Sequence, residues 1–171
     1  MSSPLEHDGM EGEQVRIGIT GHTNLTTATS RLVSEALETE LARHPDVVGL
    51  SCLARGADQL FARVVLNGGG ALEVVLPAAD YRERKVKPDN AATFDELVAD
   101  ATTVHTMPFT ESNPDAYMAA GEHILDSADA LYAVWDGQPA GGLGGTGDVV
   151  RAARERGLPV TVVWPEGAER D

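Results

Sequence analysis

The sequence predicts an α/β chain, a three-layer sandwich with a mostly parallel sheet. Three observations lead there. Short apolar runs alternate with amphipathic segments along almost the whole chain. The runs lack the apolar–polar alternation of half-exposed strands, so helices must cover both faces of the sheet. The order is strand then helix, repeated, which is the pattern of parallel β-α units. The arrangement is Rossmann-like, with right-handed crossovers. Its ligand crevice is expected where the strand order reverses, here placed at the carboxyl ends of the first and fourth strands.

The elements follow in order. "VRIGIT" (Val15 to Thr20) is a strand, and "TTATSRLVSEALETELARH" after it is a helix with Leu32, Val33, Ala36, Leu37 and Leu41 at helical spacing. "VVGLSCL" (Val47 to Leu53) is the second strand, and "ADQLFARVVLNGG" is a helix stopped by glycines. "ALEVVLP" is the third strand. Then comes "AADYRERKVKPDN" (Ala78 to Asn90), expected as a long irregular loop. It carries Arg82, Arg84, Lys85 and Lys87, and reads either as a solvated loop or as one that closes over an anionic ligand. "AATFDELVADA" is a helix, "TTVHTM" a short strand, and "PDAYMAAGEHILDSA" a helix with Pro114 near its first turn. "ALYAVWD" is the fifth strand, "TGDVVRAARERG" a helix and "LPVTVVW" the last strand. Residues 1–13 read as a disordered acidic tail, 14–165 as one domain and 166–171 as a short tail.

Composition narrows the function. The 171 residues hold 13 cations against 27 acids, a net charge of −14. That field repels phosphate backbones, so non-specific nucleic-acid binding is not expected, whereas a local basic pocket is compatible with it. Aromatics make up only 5% of the chain, so the core must be built mainly from Val, Leu, Ala and Ile. Cys52 is the single cysteine, so there is no intrachain disulfide and no cysteine metal cluster. No apolar run reaches membrane-spanning length, and "MSSPLEHDGMEGEQ" lacks the features of a signal peptide. A cytoplasmic protein without membrane contact is expected.

Three loops at the carboxyl ends of strands carry the candidate chemistry. In "TGHTNL", Gly21 allows a tight turn, while Thr20, His22 and Asn24 offer hydroxyl, imidazole and amide groups ahead of a helix. In "SCLARGAD", Ser51 and Cys52 end the strand and Arg55 and Gly56 make the turn. Arg55 suits a phosphate. Asp58 is read as a helix-start carboxylate and Cys52 as a packed thiol. The third stretch, "WDGQPAGGLGGTGDVV", contains Asp136 and "GLGGTG". The latter matches the dinucleotide pattern G-x-G-x-x-G, but that fingerprint belongs after the first strand and these glycines follow the fifth. An NAD site is therefore the weakest reading, and no Lys follows to make a Walker loop. Glycine amides backed by a helix still make a phosphate cradle. Asp148 in the first helical turn caps the helix or holds a metal or ribose. No pair of histidines has metal-ligand spacing, and Tyr117 is either packing or a stacking platform for a base.

"GITGHTNL", "SCLARGADQLFA" and "WDGQPAGGLGGTGDVV", in that order, resemble the SLOG superfamily of Rossmann-like nucleotide-binding domains. That superfamily includes the DNA-processing protein A fold and the Lonely-Guy phosphoribohydrolases. The resemblance covers roughly Val15 to Pro165. It implies a nucleotide or nucleotide-derived ligand, with phosphate on Gly142, Gly144, Gly145 and Thr146. Thr20, His22, Asn24, Ser51, Arg55 and Asp136 would hold ribose or base. It also implies a homodimer. The chain departs from the hydrolases' P-G-G-x-G-T-x-x-E: Ala140 stands where Pro would, a glycine is inserted, and Val149 occupies the acid's place, with Asp148 one position early. Pro108 and Phe109 follow "TTVHTM" where the hydrolases carry an Arg. The expectation is thus a nucleotide-binding protein, perhaps a sensor, that needs neither metal nor cofactor. The alternative is a nucleoside 5′-monophosphate phosphoribohydrolase with Asp148 as its catalytic acid.

Overall fold

The computed structural model describes residues 14–139 and 145–171. Its elements run β1 (Val15–Gly21), α1 (Thr27–Leu41), β2 (Val47–Ser51), α2 (Ala57–Asn67), β3 (Ala71–Leu76), α3 (Tyr81–Lys85), a 3-10 turn (Pro88–Asn90), α4 (Ala91–Asp100), β4 (Thr103–Thr106), α5 (Pro114–Ser127), β5 (Ala130–Val134), α6 (Thr146–Glu155) and β6 (Val160–Val162). The six strands form one parallel sheet in the order β4-β3-β2-β1-β5-β6. This is the Rossmann-like α/β fold expected.

The strand order corrects one expectation. The reversal falls between β1 and β5, not between the first and fourth strands, and β1 pairs with β5 from Ile17↔Ala130 to Gly21↔Val134. The reason lies in the strands' polarity. All four residues of β4, "TVHT", are exposed, and even Val104 is 43% exposed. Such a strand can only sit at an edge, where one face and one side stay open. In β5, "ALYAV", four of five residues are buried, which suits the centre.

Helices α1, α2 and α4 lie in one layer and α5 and α6 in the other, as their mutual contacts require. Ile17 and Ile19 of β1 turn toward the first layer, where they join Val33, Leu37 and Phe61 in the main core cluster. Between them Gly18 turns the other way. A Cβ there would overlap Ile124 Cγ2, so the missing side chain lets α5 lie against β1. Thr26 caps α1 by accepting from Thr29 N (3.1 Å), and Asn113 caps α5 by accepting from Ala116 N (2.8 Å). Pro114 opens α5 at its first turn, where its missing N–H costs nothing.

Two further segments differ from expectation. Residues 78–90 are not an irregular loop: they contain α3 and the 3-10 turn. Tyr81, 6% exposed, anchors them by packing against Phe94 and Tyr117, with centroids at 6.1 and 6.5 Å. Arg82 adds a two-pronged bond to Asp95 (2.8 and 2.6 Å). Residues 166–171 do not trail off as a tail. Glu169 N donates to Thr29 Oγ1 (2.7 Å), Arg170 bridges Leu25, and Asp171 N donates to Asn24 O (2.7 Å). No helix among the described residues is long and apolar enough to cross a membrane.

Candidate functional site

The carboxyl ends of β1, β2 and β5 open into a cleft of about 580 Å³. The β1–α1 loop forms one wall. The β2–α2 loop forms the floor, and the α3 segment lies over it. Tyr117, Gly121 and Ile124 of α5 make the opposite side, and Gly145, Thr146 and Gly147 at the head of α6 close the end. Its place at the reversal of strand order is where helix starts from both layers converge on one gap.

The first two loops are fastened to each other by backbone. Ala57 N donates to His22 O (3.1 Å), and His22 N donates to Val134 O (3.1 Å). Gly56 makes this approach possible. Its φ is +93°, and a Cβ would lie 2.6 Å from His22 O and 2.8 Å from Thr23 Cα. Leu53, in the same loop, also takes a positive φ of 58° although it has a side chain, and that side chain is buried. Such backbone is held by its surroundings rather than by preference. The surroundings here are two side-chain bonds: Ser51 Oγ accepts from Leu53 N (3.0 Å), and Gln59 Nε2 donates to Leu53 O (3.1 Å).

His22 is neutral in this setting. Burial lowers its pKa first and Arg170 lowers it further, against the opposing pull of Asp136. Its Nε2 accepts from Asp136 N (3.0 Å), so the proton sits on Nδ1, and its ring meets Trp164 edge-on at 5.6 Å. Burial works to raise the Asp136 carboxyl, but the Gln138 N–H and the Arg170 guanidinium outweigh it and hold the pKa below its ordinary value.

The sequence candidates therefore divide. Thr20, Gly21, His22, Asn24, Arg55, Gly145 and Thr146 all line the cleft. Asn24 does so while holding the C-terminal segment through both amide atoms, to Asp171 O (3.0 Å) and Arg170 Nε (3.1 Å). Ser51 is fully buried behind the floor, where its hydroxyl also donates to Asp58 O (3.1 Å). Gly56 and Asp136 support the wall without forming part of it. Asp148 is not among the lining residues, and it pairs with Arg151 (2.5 Å) one turn on. Gly142 and Gly144 lie outside the described residues. His105 and His123 stack face to face at 4.5 Å, on β4 and α5, apart from the cleft. Among the described residues no group of three potential metal ligands converges.

Further residues line the cleft: Lys85 and Lys87, from the segment one reading of the sequence closes over an anionic ligand, Tyr81 and Arg170, which the sequence reading leaves out of the site, and Asp58 and Cys52, to which it gives only structural roles. Asp58 is the foremost. It is 8% exposed, and burial pushes its carboxyl up to about 7 against the single bond from Ala54 N (3.3 Å). Cys52 and Tyr81 stand near it, and burial raises both of their pKa values. Lys85, Lys87 and Arg170 also line the cleft. Among the described residues neither lysine is in an ion pair, whereas Arg55 pairs with Asp89 (2.5 Å). Gly145 precedes the helix start that lines the same cleft, and it contributes no side-chain cap.

No protein-family model and no curated protein matches the chain. Solved structures do. DNA processing protein A from Streptococcus pneumoniae superposes with a TM-score of 0.65 at 14% identity, covering 90% of this chain and 51% of its own. This chain thus spans about half of that protein. DNA processing protein A from Helicobacter pylori, whose structure describes a single-stranded DNA binding mode, gives 0.64 at 17%, covering 95% and 71%. The molybdenum cofactor binding protein of Rippkaea orientalis gives 0.57 at 16%, covering 88% and 76%. At these identities the likeness shows the fold alone, a Rossmann-like α/β architecture.

Proposed function

We propose that the chain binds a nucleotide or nucleotide-derived small molecule in the cleft between β1 and β5. The observation that carries this reading is the charge of the lining. In a chain of net charge −14, the cleft wall holds Lys85 and Lys87, which form no ion pair among the described residues, beside Arg55 and Arg170, each paired with an acid outside the lining; the one lining acid, Asp58, has its charge suppressed by burial. A basic cleft in an acidic molecule draws in an anionic ligand. Phosphate fits at Gly145, Thr146 and Gly147, where a helix start lines the cleft. Gly142 and Gly144 belong to the same proposal as the start of that loop. Tyr117, Trp135 and Ile124 supply the apolar surface that a ring system needs. Two structural neighbours are described by what they bind, single-stranded DNA in one and the molybdenum cofactor in the other. The acidic surface of this chain favours a small ligand over a polynucleotide.

Hydrolysis of a nucleoside monophosphate is the weaker proposal, because Asp148 is engaged with Arg151 and is not part of the lining. A homodimer is proposed as well, and light scattering across a concentration series tests it: a monomer mass throughout refutes it. The test of the main reading is a thermal-shift and calorimetric panel pairing each nucleoside with its monophosphate. The monophosphate is expected to bind more tightly, with affinity falling as salt rises, and a Lys85→Ala/Lys87→Ala variant should lose much of that difference. Equal binding of nucleosides and nucleotides, unchanged in the variant, would refute it.

A further inference from the structure

We propose that Asp58 selects the ring of the ligand: its carboxylate receives two adjacent N–H donors from a 2-amino-4-oxopyrimidine edge, the edge shared by guanine and the pterins. This rests on the ligand cleft proposed above and goes beyond it, since nothing in that reading says which ring is held.

The argument begins with what Asp58 lacks. A buried charge is ordinarily matched by a cation or by several hydrogen bonds. Asp58 is 8% exposed and has no ion-pair partner among the described residues; the nearby cations Arg55, Lys85 and Lys87 make no bridge to it. Its Oδ2 receives one N–H, from Ala54 at 3.3 Å, and Oδ1 receives none. Yet no enclosed side-chain oxygen among the described residues is left without a partner, so Oδ1 opens onto the cleft that Asp58 lines. The remaining groups against the carboxyl are the Cys52 thiol at the end of β2 and the Tyr81 phenol on α3, both kept neutral by burial. The floor of the cleft therefore holds an under-coordinated carboxyl between neutral neighbours, and the missing donors must come from whatever fills the cleft.

The identity of those donors follows from the rest of the wall. A cationic ligand is disfavoured, because four cations line the same cleft. Neutral N–H groups on an otherwise anionic molecule satisfy both demands. The carboxylate has lone pairs enough to keep the Ala54 bond and accept two more. Its position in the first turn of α2 favours the ionised form once donors arrive. A guanine or pterin edge presents N–H and NH2 side by side, matching the two oxygens. Adenine and cytosine place an acceptor beside their donor, which the carboxylate repels. Leu53 below and Tyr117 at the side give the ring apolar contact.

Calorimetry with GMP, IMP, AMP and neopterin tests this. IMP differs from GMP by the amino group alone. GMP, neopterin or both are expected to bind, with GMP at least roughly tenfold tighter than IMP and AMP weakest, as suits a hydrogen bond to a charged group. In Asp58→Asn the GMP-over-IMP preference should shrink to about twofold, because the amide turns a donor toward the ligand's donors. Asn keeps an oxygen for Ala54 N, and circular dichroism checks the fold. The parent protein alone supplies a second readout: the GMP-over-IMP preference should grow from pH 6 to pH 8 as the carboxyl ionises, since the phosphates of both nucleotides ionise alike over that range. If AMP binds as tightly as GMP and the GMP-over-IMP preference does not change with pH, the inference fails while the cleft reading stands. If none of the four ligands binds, both fail together.

Discussion

Replacing Asp58 by Asn should make the protein more stable at neutral pH, and the size of the gain is set by burial. The carboxyl ordinarily titrates near 3.8, and in the folded chain burial lifts it to about 7. The folded state thus prefers the protonated acid. Stability associated with Asp58 is complete below the unfolded pKa and is lost as pH climbs toward the folded one. At 1.36 kcal/mol per pH unit the loss reaches about 4 kcal/mol by pH 7. At pH 5 it is about 2 kcal/mol by the same reasoning. Asn is nearly isosteric and never ionises, it retains an acceptor for Ala54 N, and its new N–H2 takes the place of an oxygen already open to the cleft. Domains of this size gain roughly 2–4 °C in Tm per kcal/mol, so the variant should melt up to about 8–16 °C above the parent at pH 7. Differential scanning calorimetry of both proteins from pH 4 to pH 8 reads the gap directly. It should widen with pH and level off above pH 7. A gap that stays constant with pH, or a variant less stable throughout, refutes the claim that an unpaired buried carboxyl sits in the floor.

Two other outcomes follow from the site. Gly56→Ala must hold a side chain at φ +93° with its Cβ 2.6 Å from His22 O. Backbone strain and overpacking together cost about 2–5 kcal/mol, read as a lower urea midpoint, with ligand affinity falling because the β1–α1 loop is displaced. Asp148→Asn should lower stability by no more than about 2 kcal/mol, since the Arg151 partner is exposed and Asn serves nearly as well in a first helical turn. Incubated with AMP, the parent should release no free adenine; release by the parent that is lost in the variant would restore Asp148 to a catalytic role.

The alternation of strands and helices was legible because each element carries its own local pattern. The order of strands was not. Parallel strands joined by helices share one pattern whichever neighbour they take, so only the polarity of "TVHT" betrayed an edge, and that signal went unused. The helix in the α3 segment is hidden for a related reason. Its run of cations fits a solvated loop and a loop closing over an anion equally well, and the one aromatic in it, Tyr81, is informative only once Phe94 and Tyr117 are known to receive it. In the site, loops that touch strand ends were found from position alone, which is why Thr20, His22 and Arg55 fall on the lining. Asp58 was taken as a helix-start carboxylate, and it does stand in the first turn of α2. What the sequence conceals is its burial, supplied by Tyr81 and Cys52 from other parts of the fold. Arg170 was out of reach for the same cause: its place depends on Asn24 and Asp136, more than thirty residues away in either case.

The distribution of charge joins these findings into one argument. A polynucleotide would have to lie along a surface set by an excess of fourteen acids, and only the segment inside the cleft would meet cations that outnumber the acids around them. Each phosphate beyond the cleft would add repulsion, so affinity should fall with chain length instead of rising as it does for basic nucleic-acid binders. A mononucleotide meets none of that outer field. In the proposed pose its phosphate would reach the helix start and the lysines, while its ring would reach a floor that a second charge would only destabilise. A ligand's N–H groups, and not the chain's own residues, would then complete the coordination of the acid at that floor. The same carboxyl thus lowers the stability of the empty protein and raises its selectivity when filled, which is why one substitution, Asp58→Asn, should move melting temperature upward and ring preference downward together.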